Sequence, residues 1–151
     1  SKQSVVVLAM EYNRLIGAAT GLPLSDADPE FVAPFERHGP PPEQVFYFGE
    51  SVLLPEYRGE GVGHRFFDLR ELYAQDFGYS LTAFCAVVRD PAHPRRPADY
   101  RSLEPFWRGR GYRPEPALTA RFPWKDLGDS EETEKTMQFW MRDATLAESE
   151  M

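Results

Sequence analysis

Tyr47-Phe48-Gly49-Glu50-Ser51-Val52-Leu53-Leu54-Pro55-Glu56-Tyr57-Arg58-Gly59-Glu60-Gly61-Val62-Gly63-His64 runs from a strand-forming stretch, through a glycine-rich turn, into a helix. Arg58, Gly61 and Gly63 write R-x-x-G-x-G. Glycines at such a junction let the chain turn tightly and let a ligand come close to the backbone. The helix beyond leaves its first N–H groups without intrahelical partners and carries partial positive charge there, which suits an anion such as a pyrophosphate. The stretch points to a phosphate-bearing ligand.

Two better-known glycine loops are excluded by the residues themselves. A Walker loop needs Gly-Lys followed by Ser or Thr, whereas His64 and Arg65 follow Gly63. A dinucleotide fingerprint begun at Gly61 needs a third glycine where Phe66 stands. Taken alone, a Gly-x-Gly turn is more often structural than ligand-binding, so the flanking segments decide.

Those flanks form a strand, helix, strand unit. Val45 to Leu54 is apolar on both faces, as a central strand is. Val62, Phe66, Leu69, Tyr73 and Phe77 recur at steps of four and three, which predicts one buried helical stripe, and Gly78 is placed to end it. Leu81 to Val88 reads as a buried strand, and the crossover is expected to be parallel and right-handed. Upstream, Val5 to Met10 and Leu15 to Leu22 predict a hairpin across Glu11 to Arg14. Residues 23–44 hold six of the 14 prolines, and a short helix is expected from Asp28 as N-cap and Pro29 to Gly39. That segment reads either as a surface connection or as a lid.

Downstream, Asp90 to Asp99 is broken by Pro91, Pro94 and Pro97 and reads as a loop. Ser102 is the expected N-cap of a helix in which Leu103, Phe106 and Trp107 pack inward and which Gly111 stops. Leu118 to Trp124 and Thr136 to Arg142 are the last predicted strands. The fold class is therefore α+β: a mixed, mostly antiparallel sheet with one central parallel crossover and flanking helices.

At 151 residues, 42% of them hydrophobic, the chain can bury one sizeable core. A single domain is expected over residues 1–143, with 144–151 a flexible tail. The net charge of −7 disfavours a nucleic-acid surface and mildly favours a cationic, amine-bearing partner. No long apolar run suited to a membrane helix and no signal-like start is seen, so a cytoplasmic location is expected. Cys85 is the only cysteine and sits among apolar residues, where a small buried hydrophobe is favoured over a nucleophile.

Tyr47 to Pro55 followed by Arg58 to Gly63 resembles motif A of the GNAT superfamily, the acyl-CoA-dependent N-acyltransferases. Leu103, Phe106, Trp107, Gly111 and Tyr112 resemble the family's following helix and its exit. The likeness in element order covers ~130 residues, from the first hairpin to the last strand. Family members usually place a strand and two helices before the point where this chain starts. The expectation is a trimmed form, an incompletely represented protein, or a form whose acceptor-side helices come from elsewhere.

The resemblance implies acetyl-CoA as cosubstrate, with no metal, and transfer of its acyl group to an amine by direct attack. It assigns the pantetheine arm and thioester oxygen to backbone amides at Leu53 and Leu54. The pyrophosphate falls to Arg58, Gly59, Glu60, Gly61, Val62, Gly63 and His64, with Arg65 either assisting or merely exposed. Glu50 is the candidate general base, since partial burial on an apolar strand would raise its basicity; the rival reading is a paired carboxylate fixing the sheet. His93 and His38 are weaker candidates. Trp107 stands where many family members carry a tyrosine acid, and indole cannot serve as one, which leaves Tyr100 and Tyr112 as substitutes. A non-catalytic acyl-CoA-binding domain is the alternative function. The acceptor is expected to be a small molecule or peptide bearing an amine, and the assembly is left open, a homodimer among the readings.

Overall fold

The computed structural model describes residues 2–87, 103–124 and 133–149. Six strands form one sheet: β1 (Val5–Glu11), β2 (Arg14–Pro23), β3 (Val45–Leu53), β4 (Leu81–Val87), β5 (Arg113–Trp124) and β6 (Thr133–Asp143). Their spatial order is β1-β2-β3-β4-β6-β5, and only β3 and β4 run parallel. Helix α1 (Pro29–His38) lies between β2 and β3, α2 (Val62–Asp76) makes the crossover, α3 (Glu104–Gly109) precedes β5, and α4 (Ala144–Ser149) follows β6.

Strand alternation sorts the apolar residues onto two faces. Phe46, Phe48, Phe84 and Trp140 pack with Phe67 of α2 and with Tyr112. Val45, Tyr47, Ala83 and Phe139 pack on the opposite face with Phe35 of α1. Asp28 and Gly39 bound α1 as expected, although the Asp28 side chain makes no capping hydrogen bond. Gly78, at φ +91°, follows the end of α2.

Several boundaries and faces differ from the sequence reading. In α2 the buried residues are Phe66, Phe67, Arg70 and Ala74, while Tyr73 is 46% exposed. The apolar stripe is rotated because an arginine is buried where periodicity counts only hydrophobes. Leu103 is 58% exposed and precedes α3 as its N-cap; Ser102, expected there, lies outside the described residues. Strand β5 starts five residues before Leu118, pairing Arg113 with Met141 and Pro114 with Trp140 of β6. Residues 144–149, expected as tail, form α4, whose Ala144 N–H donates to the Ser80 carbonyl at 2.8 Å.

Two irregularities of β3 shape the centre of the sheet. Its pairing with β4 stops after Val45↔Leu81, Phe46↔Thr82 and Tyr47↔Ala83. Beyond that point β4 stays with β6 as far as Val87↔Met137, and β3 stays with β2 as far as Leu53↔Gly17. A wedge therefore opens between the C-terminal halves of the parallel strands. The expectation that β3 is buried on both faces holds for Val45 to Phe48 and fails for Gly49 to Val52, which are exposed beside this wedge. The second irregularity is a bulge: Ala19 pairs with Ser51 but Gly21 pairs with Phe48, so Gly49 and Glu50 together oppose Thr20.

Candidate functional site: the glycine loop and the strand wedge

Beyond β3 the chain makes a short turn at Pro55–Tyr57, anchored by an ion pair of Glu56 with Arg14 at 3.7 Å. It then reverses through Gly59 (φ +82°) and Gly61 (φ +88°), conformations that side chains with a Cβ rarely adopt. Gly61 is the N-cap of α2 and offers no side chain to its amides. The first helical bond is Arg65 N–H to the Gly61 carbonyl at 3.1 Å. The N–H groups of Val62, Gly63 and His64 thus have no partner among the described residues and form an anion-attracting end.

Gly63 differs from the other two glycines. Its φ is unremarkable for a helix, and a Cβ there would meet only Phe106 Cζ at 3.7 Å, an ordinary contact. Neither backbone strain nor packing calls for glycine at this position. A bare backbone at an uncapped helix end fits a ligand that must approach the amides closely. The residues present therefore suit the pyrophosphate assigned to them.

His64 is fixed from the side. Its ring lies 4.5 Å from that of Phe106, and its Nδ1 is 3.0 Å from an Arg110 nitrogen. A guanidinium only donates, so Nδ1 accepts and the proton sits on Nε2. Arg110 also donates to Asp68 at 2.7 Å and to Glu71 at 2.9 Å, tying the end of α3 to α2. Arg58 and Arg65 are both exposed.

On the strand side, Leu54 N–H donates to the Ile16 carbonyl at 2.9 Å and so faces β2. That amide is unavailable to a ligand, which corrects the assignment of Leu54. By the two-residue period of a strand, the N–H groups of Leu53 and Ser51 face the opposite edge, toward the wedge. That the Ser51 amide faces out was not legible in the sequence, because which amides do so depends on register. Glu50 is exposed, so the partial burial expected of it is absent; its N–H donates to Thr20 Oγ1 at 2.9 Å.

The candidate acids and bases separate clearly. Tyr112 is fully buried, donates to Glu71 Oε2 at 2.8 Å and accepts from Thr82 Oγ1 at 3.0 Å, and burial raises its phenol above the ordinary range. It is committed to the core and is no proton donor to the wedge. Trp107 is held between Phe84 and Trp140, at ring separations of 4.9 and 5.0 Å. His38 is exposed at the end of α1, and Tyr100 and His93 lie outside the described residues. Tyr47 Oη is 3.1 Å from Cys85 Sγ, and burial pushes the Cys85 thiol up to about 11, the state of an inert core residue.

The sequence did not single out Arg70. It is 1% exposed, donating from Nε to the Phe66 carbonyl at 3.2 Å and from its terminal nitrogen to the Thr20 carbonyl at 3.1 Å. Its guanidinium lies 4.5 Å from the Phe48 ring centre and 5.0 Å from that of Phe67. Burial draws it down to about 10, so it stays a cation near neutrality. No carboxylate lies within ion-pair distance of it among the described residues.

No protein-family model matches the chain, and no curated protein matches it in sequence. Solved structures do. A GNAT family acetyltransferase from Elizabethkingia anophelis with acetyl-CoA bound superposes with a TM-score of 0.60 at 12% identity, over 94% of this chain and 77% of that one. The ribosomal-protein-alanine N-acetyltransferase from Brucella melitensis gives 0.61 at 11%, over 94% and 70%. The IAA acetyltransferase from Bacillus cereus gives 0.58 at 11%, over 94% and 79%. The chain has the GNAT acetyltransferase fold. Among the described residues no helix is long and apolar enough to cross a membrane.

Proposed function

We propose that the chain is an acyl-CoA-dependent N-acyltransferase that passes an acyl group from CoA to the amine of a small molecule or peptide. The observation that carries this reading is the uncapped start of α2, bare at Gly63, beside the wedge where β3 leaves β4. One end suits a pyrophosphate and the other an extended arm with amide and carbonyl groups. The acetyl-CoA held by a protein of the same fold makes it the cosubstrate to test first.

In this reading the amides of Val62, Gly63 and His64, with the Arg58 guanidinium, hold the pyrophosphate across the turn made by Gly59 to Gly61. The Leu53 and Ser51 amides take the acyl end at the open edge of β3. Bound there, the thioester supplies an activated carbonyl that an amine attacks directly, with the CoA thiolate leaving. A preorganised amide on the carbonyl oxygen is worth on the order of 3 kcal/mol where measured in other enzymes. Glu50, at the bulge beside the wedge, takes the amine proton directly or through water.

A second reading, a non-catalytic acyl-CoA-binding domain, is favoured by the exposure of Glu50 and the commitment of Tyr112 to the core. Calorimetric titration with CoA tests the shared premise, and free-thiol release from acetyl-CoA with a panel of amines separates the two. Binding with amine-dependent thiol release supports transfer. Binding without release by any amine moves the balance to the second reading, and no binding sinks both.

A further inference from the structure

Arg70 and the bulge in β3 are two anomalies with one explanation. The register Ile16 to Leu54 and Ala19↔Ser51, continued one step, would have Glu50 N–H donate to the Thr20 carbonyl. The bulge breaks that bond, and each half finds a side chain instead. Glu50 N–H takes Thr20 Oγ1 at 2.9 Å, and the Thr20 carbonyl takes the Arg70 guanidinium at 3.1 Å. Room for the exchange comes from Gly49, where a Cβ would stand 2.6 Å from Thr20 Oγ1. A buried arginine on α2 has replaced a ladder donor.

We propose that Arg70 is a positioning residue which, through Thr20, locks the Gly49–Glu50 bulge and so fixes the Ser51 and Leu53 amides at the open edge of β3 for the acyl end of CoA. The proposal rests on the acyl-CoA reading of the wedge and adds the device that sets its geometry. Without the clamp, β3 can slide by one residue to restore the regular ladder. Because the strand period is two, such a slip exchanges the amides that face the wedge for those that face β2. The pyrophosphate end, built on α2 and the glycine loop, does not depend on this register.

That difference supplies the test. Thr20→Val removes the hydroxyl while keeping shape, Thr20→Ser keeps it, Arg70→Met removes the charge and Arg70→Lys retains one donor. Affinities for acetyl-CoA and for its 3′-phospho-ADP fragment, which keeps the pyrophosphate, are measured by calorimetry on the folded proteins. Thr20→Val and Arg70→Met should lose acetyl-CoA affinity by ~10-fold, the worth of about one hydrogen bond, and keep the fragment's affinity within about 2-fold. Thr20→Ser should match the parent, and Arg70→Lys should recover part of the loss. A role confined to stability would leave the ratio of the two affinities unchanged. Should Arg70→Met fail to fold, the Thr20 pair still decides. Equal ratios in parent, Thr20→Val and Thr20→Ser overturn the inference alone, whereas a parent that binds neither ligand overturns the acyl-CoA reading and the inference with it.

Discussion

Replacing Gly63 with alanine should make the protein more stable and a worse CoA binder. The added methyl meets only Phe106 Cζ, at 3.7 Å, and the backbone there needs no positive φ, so nothing opposes it in the fold. Alanine lowers the entropy of the unfolded chain and favours the helix, together worth ~0.5 kcal/mol at a first-turn position. In a domain of this size that raises Tm by about 1–2 °C. In the proposed pyrophosphate site the same methyl would stand between the phosphate oxygens and the amides of Gly63 and His64. Losing one charge-assisted hydrogen bond costs about 1.5–3 kcal/mol, or roughly 10- to 100-fold in Kd. Thermal unfolding by circular dichroism and calorimetric titration with CoA read the two effects separately. Gly61→Ala supplies the contrast, because φ +88° forces strain of about 1–2 kcal/mol and should lower Tm. Unchanged CoA affinity in a stabilised Gly63→Ala protein would refute the claim that this glycine serves a ligand, and a lowered Tm would refute the packing argument.

Gly61→Asp places a carboxylate at the helix start where the pyrophosphate is assigned, and calorimetry should show CoA binding lost in a protein that still folds. Glu50→Gln should lower amine-dependent thiol release by about 10²-fold near neutral pH while CoA affinity persists; equal turnover across the pH range would move the proton acceptor elsewhere. Cys85 gives an alkaline prediction: its thiol rises from 9.0 to about 11 on folding, so above 9.0 the unfolded chain ionises first and stability falls until about 11. A shift of about two units corresponds to ~3 kcal/mol, and Cys85→Ala should flatten that part of a denaturant-derived stability profile. Tyr47 and Tyr112, raised from 10.0, add losses of the same sign only at higher pH, so a profile identical in parent and Cys85→Ala between 9.0 and 10.0 would contradict the burial argument.

The order of the strands, the crossover helix and the glycine-rich start of α2 were legible in the sequence. Gly59, Gly61 and Gly63 alternate with Glu60 and Val62 along the chain, and a loop that opens a helix is built from local residues whose φ preferences and missing side chains can be read directly. The hairpin, the Asp28 to Gly39 helix and the Gly78 stop were legible for the same reason. Tertiary structure alone decided which amides of β3 face the wedge. That depends on the Ile16 to Leu54 register and on a bulge opposite Thr20, and one residue of shift reverses every amide from one edge to the other. The Leu54 amide was misassigned and the outward-facing Ser51 amide overlooked on this account. Arg70 escaped for a related reason: hydrophobic periodicity marks apolar positions, and it cannot register a cation whose burial is sustained by a carbonyl fifty residues away in sequence and by the faces of Phe48 and Phe67.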